Sequence, residues 1–551
     1  MKKFRLLLLL MPLFLWGCSS KYYKENADKE AYDILAEKWQ EEFGTTANTR
    51  ISDVEAGDGD IKPAEFDTSK PLPLATAVSF ATANNRNYKS SRENLYLSAL
   101  NLSLERYNFT PKFFGLISAG YKHNPGDESV DASSRFGVSQ TLADGTEVAA
   151  NISSNWLEYL TGSSRSSLGT ALGATISRPL LRGAGRKIAQ ENLTQAERST
   201  IYDMRDFARF RKTFVVDIVS EYYGVLQTLD QVENARRNYE NLKVIEDRVV
   251  LSGEVGSQPK FEAGQARQRT LQAWDSYIRS QQSSKQSYDN FKITLAISTD
   301  QELELEPGEL KALENVNMED VDIDVEAAIK LALDTRLDLQ NSFDQVEDSK
   351  RKLEIALDNL GIKLDLKASA NVSSDGKTDL ANFQFDDGSY ALGLDTDFDL
   401  DRKSERNSYR RALISVMQRQ RSYELKVDQV KQQVRQACRD LKQAADRYKI
   451  QMLSLTLAEK RVEGDKINQE EGRATTRDLL ESQADLLQAQ NAKTDALISF
   501  TLAQLRFYRD IGMLEVKTDG NAELDTVAKA IGDGLKMEKN KSELLKPSGF
   551  Q

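Results

Sequence analysis

Two stretches of the chain carry almost no helix breaker, and the surroundings of one repeat the surroundings of the other. Between Arg186 and Ser252 there is a single glycine, Gly224, and no proline; between Arg402 and Glu463 there is neither. Ala77-Val78-x-x-Ala81 recurs 251 residues later as Ala328-Ile329-x-x-Ala332, and Asn108 and Lys112 recur as Asn359 and Lys363. Ala171-Leu172-Gly173, followed by Leu180 and Arg182, recurs 220 residues later as Ala391-Leu392-Gly393, Leu400 and Arg402. Helices of globular domains run to about three or four turns, whereas an unbroken run of about 65 residues spans roughly 100 Å as a helix. A duplicated unit built on such rods predicts an elongated repeat architecture, not a set of compact domains.

Of the 551 residues, 40% are hydrophobic and 29% charged, which fits amphipathic helices with solvated outer faces. The net charge is −11, and loss of Lys2, Lys3 and Arg5 with an amino-terminal signal takes it to −14. Nucleic acid as a partner demands a basic face and is therefore excluded. The chain opens with a positive pentapeptide, a short apolar run from Leu6 to Leu15, and Leu15-Trp16-Gly17-Cys18, which reads as a lipoprotein cleavage box. Residues 1–17 are thus a signal peptide, and Cys18 becomes the lipid-bearing first residue of the mature chain. Several acyl chains, at about 0.8 kcal/mol per buried methylene, anchor a protein stably. Ser19 is compatible with export to the outer membrane.

Chemistry is absent from the pattern. His123 is the sole histidine and Cys438 the only other cysteine, so neither a zinc site nor a Ser/His or Cys/His pair can be assembled. There is no phosphate-cradling loop and no dinucleotide fingerprint. The sequence points to no enzyme, no metal and no cofactor, and to Cys438 as a packed thiol inside a helix.

Residues 18–70 read as a lipid-anchored arm and linker, with one amphipathic stretch (Tyr32, Leu35, Trp39, Phe43). Two repeats follow, 71–298 and 326–514, joined by an acidic segment 299–325 and trailed by a charged tail 515–551. Each reads as an opening helix, a β-hairpin, a long helix, a tip and a return helix. In the first repeat the hairpin is 113–178, the long helix 187–252 and the tip 253–259; in the second they are 362–400, 403–463 and 464–476. Along the first long helix Phe207, Phe210, Phe214, Ile218, Tyr222 and Val225 form a coiled-coil-like stripe.

In the hairpins the period changes to two. Tyr390, Leu392, Leu394 and Thr396 share one face, and Ala391, Gly393, Asp395, Asp397 and Asp399 the other. Strands of about 9–11 residues with one apolar and one polar face suit a transmembrane barrel, although a half-buried hairpin alternates in the same way. The matching strands of the first repeat are Phe113–Tyr121 and Leu168–Ile176, with an extra segment between them that turns at Asp144-Gly145. It reads as an enlarged extracellular hairpin, with two more spanning strands as the alternative. Four strands per chain cannot close a barrel, and an open edge in lipid is prohibitive, so several chains must share one barrel.

This order of elements behind a lipobox resembles the TolC-like outer-membrane efflux protein family over most of residues 70–515. Arg178-Pro-Leu-Leu-Arg-Gly-Ala-Gly185 is similar to the family's passage from barrel to long helix. Gly472-Arg-Ala-Thr-Thr-Arg-Asp478-Leu-Leu-Glu481 is similar to its tip, as are Gly256, Glu262 and Ala266 in the first repeat, and Ala496–Leu514 is similar to its closing stretch. The resemblance implies a mainly α fold with transmembrane β: duplicated long-helix coiled-coil hairpins plus four strands per chain, assembled as a trimeric α/β-barrel duct. It implies a homotrimer anchored in outer-membrane lipid and extending into the periplasm, with a periplasmic adaptor and an inner-membrane pump as partners. Asp478 and Glu481 would ring the periplasmic constriction. Gly256, Glu262, Gly472, Arg473 and Arg477 would form the tips where the adaptor docks, and Asp395, Asp397 and Asp399 would face the lumen. The function implied is an efflux exit duct; a type I protein-secretion duct and a non-pore coiled-coil adaptor or structural lipoprotein are the competing readings.

Overall fold

The computed structural model describes residues 19–45, 49–51, 70–125, 127–161, 166–255, 259–314, 323–374, 382–398, 400–514 and 516. The signal peptide, Cys18, Gly256, Asp399 and all of the tail but residue 516 lie outside the described residues. In chain order the elements are α1 (Ser20–Phe43), α2 (Leu74–Asn84), α3 (Arg86–Tyr107), β1 (Lys112–Asn124), β2 (Asp127–Thr141), β3 (Glu147–Tyr159) and β4 (Ser166–Pro179). Then come α4 (Arg186–Ala189), α5 (Glu191–Glu254), α6 (Lys260–Leu295), α7 (Gly308–Glu314), α8 (Val325–Thr335), α9 (Leu337–Asp358), β5 (Lys363–Ser373), β6 (Ser389–Asp397), α10 (Lys403–Glu470) and α11 (Thr476–Asp510).

The breaker-free runs are helices of 64 and 68 residues, α5 and α10. Helix α10 continues to Glu470, past the expected end at Glu463, because Gly464 costs only about 1 kcal/mol relative to alanine inside a helix. Each opening helix is two helices, broken after Asn84 and after Thr335 at positions equivalent in the two repeats. The residues at the breaks, Asn85 and Arg336, are extended and buried. Asn85 donates to the Thr294 carbonyl (2.7 Å) and accepts from the Tyr88 amide (3.0 Å), capping α3. Arg336 reaches Gln433 (2.8 Å) and Asp338 (2.9 and 3.0 Å). At Asn85 the side chain thus takes up backbone groups beside the break, whereas at Arg336 the bonds run between side chains.

The chain divides into two compact units. One comprises α1 with residues 94–204 and 340–425 and holds the whole sheet. Here the segment read as an extended arm is a helix: α1 is capped by Ser19 and buries Ala31, Ile34, Leu35 and Trp39. Its Asp28 accepts from Tyr96 (2.7 Å) on α3. Of the described residues, the other unit comprises 49–51, 70–93, those between 205 and 339, 426–514 and 516. Its core packs Ala328, Ile329 and Ala332 of α8 with Val430, Val434 and Leu441 of α10 and Phe500 and Phe507 of α11. Cys438 is buried in that cluster, where desolvation pushes its thiol up. Among the described residues no helix is long and apolar enough to cross a membrane.

Four spanning strands were expected, with two more as the alternative; among the described residues the sheet has six strands, all antiparallel, in the order β1-β2-β3-β4-β5-β6. The register puts Phe136, Ile152, Leu172 and Val372 in one cross-strand row, and Phe113, Val138, Ala150, Ala174, Ala370 and Tyr390 in the next. The opposite face is mostly small and polar, with Ser133, Asn151, Ser153 and Asn371, though Phe114, Leu116 and Leu157 also lie on it. Two reciprocal pairs lock β1 to β2: Phe114 lies over Gly137 on one face and Phe136 over Gly115 on the other. A Cβ at Gly137 would come within 2.5 Å of Phe114 Cζ and 2.7 Å of the Ala150 carbonyl oxygen, and the carbonyl cannot move aside. Gly137→Val is therefore expected to destabilise the sheet by about 1–3 kcal/mol, lowering the thermal unfolding midpoint. Gly169→Val, where nothing lies within 4 Å, is the control and should leave the midpoint close to wild type.

Candidate functional site

The two helical hairpins meet at their tips within one unit. Helix α10 ends in a tight turn in which the Arg473 amide donates to the Asn468 carbonyl (2.7 Å) and Gly472 adopts φ +72°. That left-handed conformation is open to glycine at no steric cost. Helix α11 then begins with a capping box. The Thr475 hydroxyl accepts from the Asp478 amide (3.3 Å), and Asp478 Oδ2 accepts from the Thr475 amide (2.9 Å) and hydroxyl (2.7 Å).

The first turns of α11 present two faces. Thr476, Leu479, Leu480, Ser482 and Gln483 are buried. Leu480 belongs to a buried cluster with Leu242 and Val249 of α5 and Ala266 and Ala273 of α6. Thr476, 1% exposed, donates its hydroxyl to Glu262 Oε2 of α6 at 2.6 Å, joining the first hairpin to the second. Arg477, Asp478 and Glu481 lie on the exposed face. Arg473 pairs with its neighbour Glu471, and Arg248 of α5 with Glu470 at 3.3 Å. Further along, Arg461 bridges α10 to Asp485 of α11 (2.6 Å), while Asp230 and Asn234 of α5 bond Thr494 (2.7 Å) and Asn491 (3.0 Å). Helix α11 is thus tied by polar side chains to both long helices.

The tip residues singled out by sequence fall together, but with different tasks. Glu262 is a link between hairpins, Asp478 is half of a cap, and Glu481 stands one turn further on the same exposed face as Asp478. Thr476, Arg461 and Asp485 were not anticipated. The cap was readable, since Thr475-x-x-Asp478 ahead of Leu479 and Leu480 is a helix-start pattern.

In the other unit, Asp395 and Asp397 sit on the polar face of β6, opposite Leu392 and Leu394, which are 76% and 62% exposed. Asp395 pairs with Lys367 (2.5 Å) and Lys363 with Asp365 (3.4 Å), so acids and bases alternate where β5 and β6 adjoin. Strands β1 and β6 are the sheet's edges and have no partner strand among the described residues.

No protein-family model and no curated protein sequence matches the chain. Solved structures do. The Campylobacter jejuni CmeC outer membrane channel aligns with a TM-score of 0.58 at 14% identity, covering 83% of this chain and 89% of that one. The open state of the Neisseria gonorrhoeae MtrE outer membrane channel gives 0.59 at 13% identity, covering 81% and 90%. The fold is that of the outer-membrane channels. The outer membrane protein VceC of Vibrio cholerae agrees, at 0.59 and 12% identity over 80% of this chain and 96% of that one. The fold therefore corresponds to the TolC-like architecture that the sequence resembles, with a larger sheet than that resemblance implies.

The cap carries a pH dependence. Hydrogen bonds from the Thr475 hydroxyl and amide, with smaller help from Arg477 and Arg461, hold the Asp478 carboxyl below its ordinary value. A depressed carboxylate stabilises the fold above its unfolded pKa of about 3.9, and that contribution is lost as pH falls through the folded value. Amide exchange at the start of α11, corrected for intrinsic rates, should be slow at neutral pH and accelerate below about pH 4. Asp478→Asn should exchange faster at neutral pH and lose that acid step.

Proposed function

We propose that the protein is the outer-membrane exit duct of a tripartite efflux system, a passive homotrimer through which an inner-membrane pump and a periplasmic adaptor expel their substrates. The observation that carries this reading is the combination on one chain of two long-helix hairpins with an antiparallel sheet that is apolar on one face and, among the described residues, unpaired at both edges. In this reading the apolar face meets lipid, and the face bearing Asp395, Asp397 and Asp399 lines water. Cys18 carries the lipid anchor. Exposed apolar stripes support assembly from several copies: Ile450, Leu453 and Leu457 on α10, and Leu271, Trp274 and Ile278 on α6, recur at helical spacing and stay open in the single chain.

The tips are the periplasmic end of the duct in this reading. Gly256, Glu262, Gly472, Arg473 and Arg477 form the surface for the adaptor. Asp478 and Glu481 contribute six carboxylates to a ring at the constriction, and a ring of one sign selects for the opposite charge. The chain itself performs no chemistry, and the driving energy belongs to the pump.

Conductance of the purified trimer in a planar bilayer tests this directly. Small cation-selective currents are expected, blocked by a trivalent cation added on the tip side. Asp478→Asn/Glu481→Gln should weaken that block by about tenfold or more, since the ring supplies the charge that binds the ion. Folded trimers without conductance would replace the duct by the coiled-coil adaptor reading. Currents without selectivity or block would keep the duct and remove the acidic ring.

A further inference from the structure

Among the described residues the β2–β3 hairpin has no counterpart in the second repeat, where β6 is the next strand after β5. The sequence reads it as an enlarged extracellular hairpin, with two more spanning strands as the alternative, and three observations favour the alternative. First, its strands are 15 and 13 residues long, as long as β1 and β4 at 13 and 14, and they lie between those two in the sheet. Second, its turn is held at the end of the sheet where the helices attach, not at the far end. The Gly185 amide, just ahead of α4, donates to the Asp144 carbonyl (3.2 Å), and Asp144 pairs with Arg178 at 3.6 Å. Gln140 Nε2 donates to the Phe109 carbonyl (3.0 Å), between α3 and β1. Gly145, at φ +87°, is packed so closely that a Cβ there would lie 3.0 Å from the Gly183 carbonyl oxygen. The hairpin therefore runs the full height of the sheet. Third, its faces keep the phase of its neighbours: Phe136 and Ile152 continue the apolar row of Leu172 and Val372, and Ser133 and Ser153 lie on the polar side.

We infer that β2 and β3 cross the bilayer beside the other four strands, and that, resting on the duct reading above, the β1 edge of each copy pairs with the β6 edge of the next. Six strands from each of three copies close a barrel of eighteen, where the resemblance implies twelve. Strands spaced about 4.8 Å apart and tilted about 40° give a backbone diameter of roughly 36 Å for eighteen strands and roughly 24 Å for twelve. The β2–β3 inner side is mostly short and polar, so the added width is water-filled space of the kind that barrels of this size enclose. The outer mouth is then about 1.5 times as wide, backbone to backbone, as a twelve-stranded mouth, since diameter grows about linearly with strand number. Size selection falls to the helical part of the duct.

The test is single-cysteine labelling of the full-length trimer in lipid vesicles, in a Cys438→Ala background, with a water-soluble maleimide. Ser133→Cys and Ser153→Cys should react about tenfold or more faster than Phe136→Cys and Ile152→Cys, because lipid-facing thiols are shielded from water. Ala171→Cys against Leu172→Cys on β4, and Ala391→Cys against Leu392→Cys on β6, serve as references at positions equivalent in the two repeats. Alternation of β2 and β3 in phase with the references supports the wider barrel. References that alternate while both β2 and β3 pairs react alike would put the hairpin outside the bilayer, overturning the inference and sparing the duct. References that also react alike overturn the duct reading and this inference together. All these positions lie on exposed or half-exposed strand faces, and only trimers recovered from the membrane fraction are scored.

Discussion

The constraint on which everything else turns is the hydrogen-bonding capacity of a strand edge. Among the described residues, the six-stranded sheet leaves the outer sides of β1 and β6 without a partner strand. In water such edges are tolerable. In hydrocarbon each unsatisfied amide or carbonyl costs several kcal/mol, so only a closed barrel survives there. A chain whose apolar sheet face is turned to lipid must therefore complete its sheet with copies of itself. In the proposed duct, oligomerisation would follow from backbone chemistry before any side-chain interface is considered, and the exposed apolar stripes on α6 and α10 would serve the same demand.

Within the chain, the helices are joined by buried or half-buried polar links as much as by apolar packing. Asp338, next to the break at Arg336, is approached by Arg209 of α5, Arg336 itself and Lys426 of α10. Burial opposes its charge, but these cations more than offset that and hold its carboxyl far below the usual range. The other unit has an equivalent device, in which Asp348 receives Arg198 (2.6 Å), Arg351 (2.8 Å) and the Tyr202 hydroxyl (2.6 Å). Networks of this kind contribute modest net stability, yet removing one partner strands a buried charge at about 3–5 kcal/mol. They fix which helix lies beside which, a task that a continuous apolar stripe along a long helix performs poorly, because such a stripe tolerates sliding.

How much of this was legible in the sequence depends on the local strength of each signal. The long helices were plain, since the absence of proline and glycine over their length leaves few alternatives. The breaks at Asn85 and Arg336 were not, because neither residue ends a helix by itself; tertiary partners decide. Strands β5 and β6 were found because their alternation is clean. Strands β2 and β3 read from sequence as an extracellular hairpin, with spanning strands as the alternative, because serine, asparagine and glycine crowd their inner side and the large apolar residues Val130, Phe136, Val138, Val148, Ile152 and Trp156 are interrupted on the other face by Ala132, Ser134 and Ser154. Barrel strands carry a weak signal per segment, and pairing in register supplies the rest. At the tip, the sequence displays the charge of Asp478 and Glu481 and the capping pattern of Thr475 and Asp478, whereas the bond from Thr476 to Glu262, 214 residues away, has no local signal.

Native mass spectrometry of the full-length protein extracted gently from membranes tests the central claim most directly, because it counts the chains that complete the sheet. The account predicts a single dominant species of three chains that persists on dilution. A folded monomer stable in the same detergent, with its strands protected from amide exchange, would show that the sheet closes or covers its edges alone, and would contradict the account.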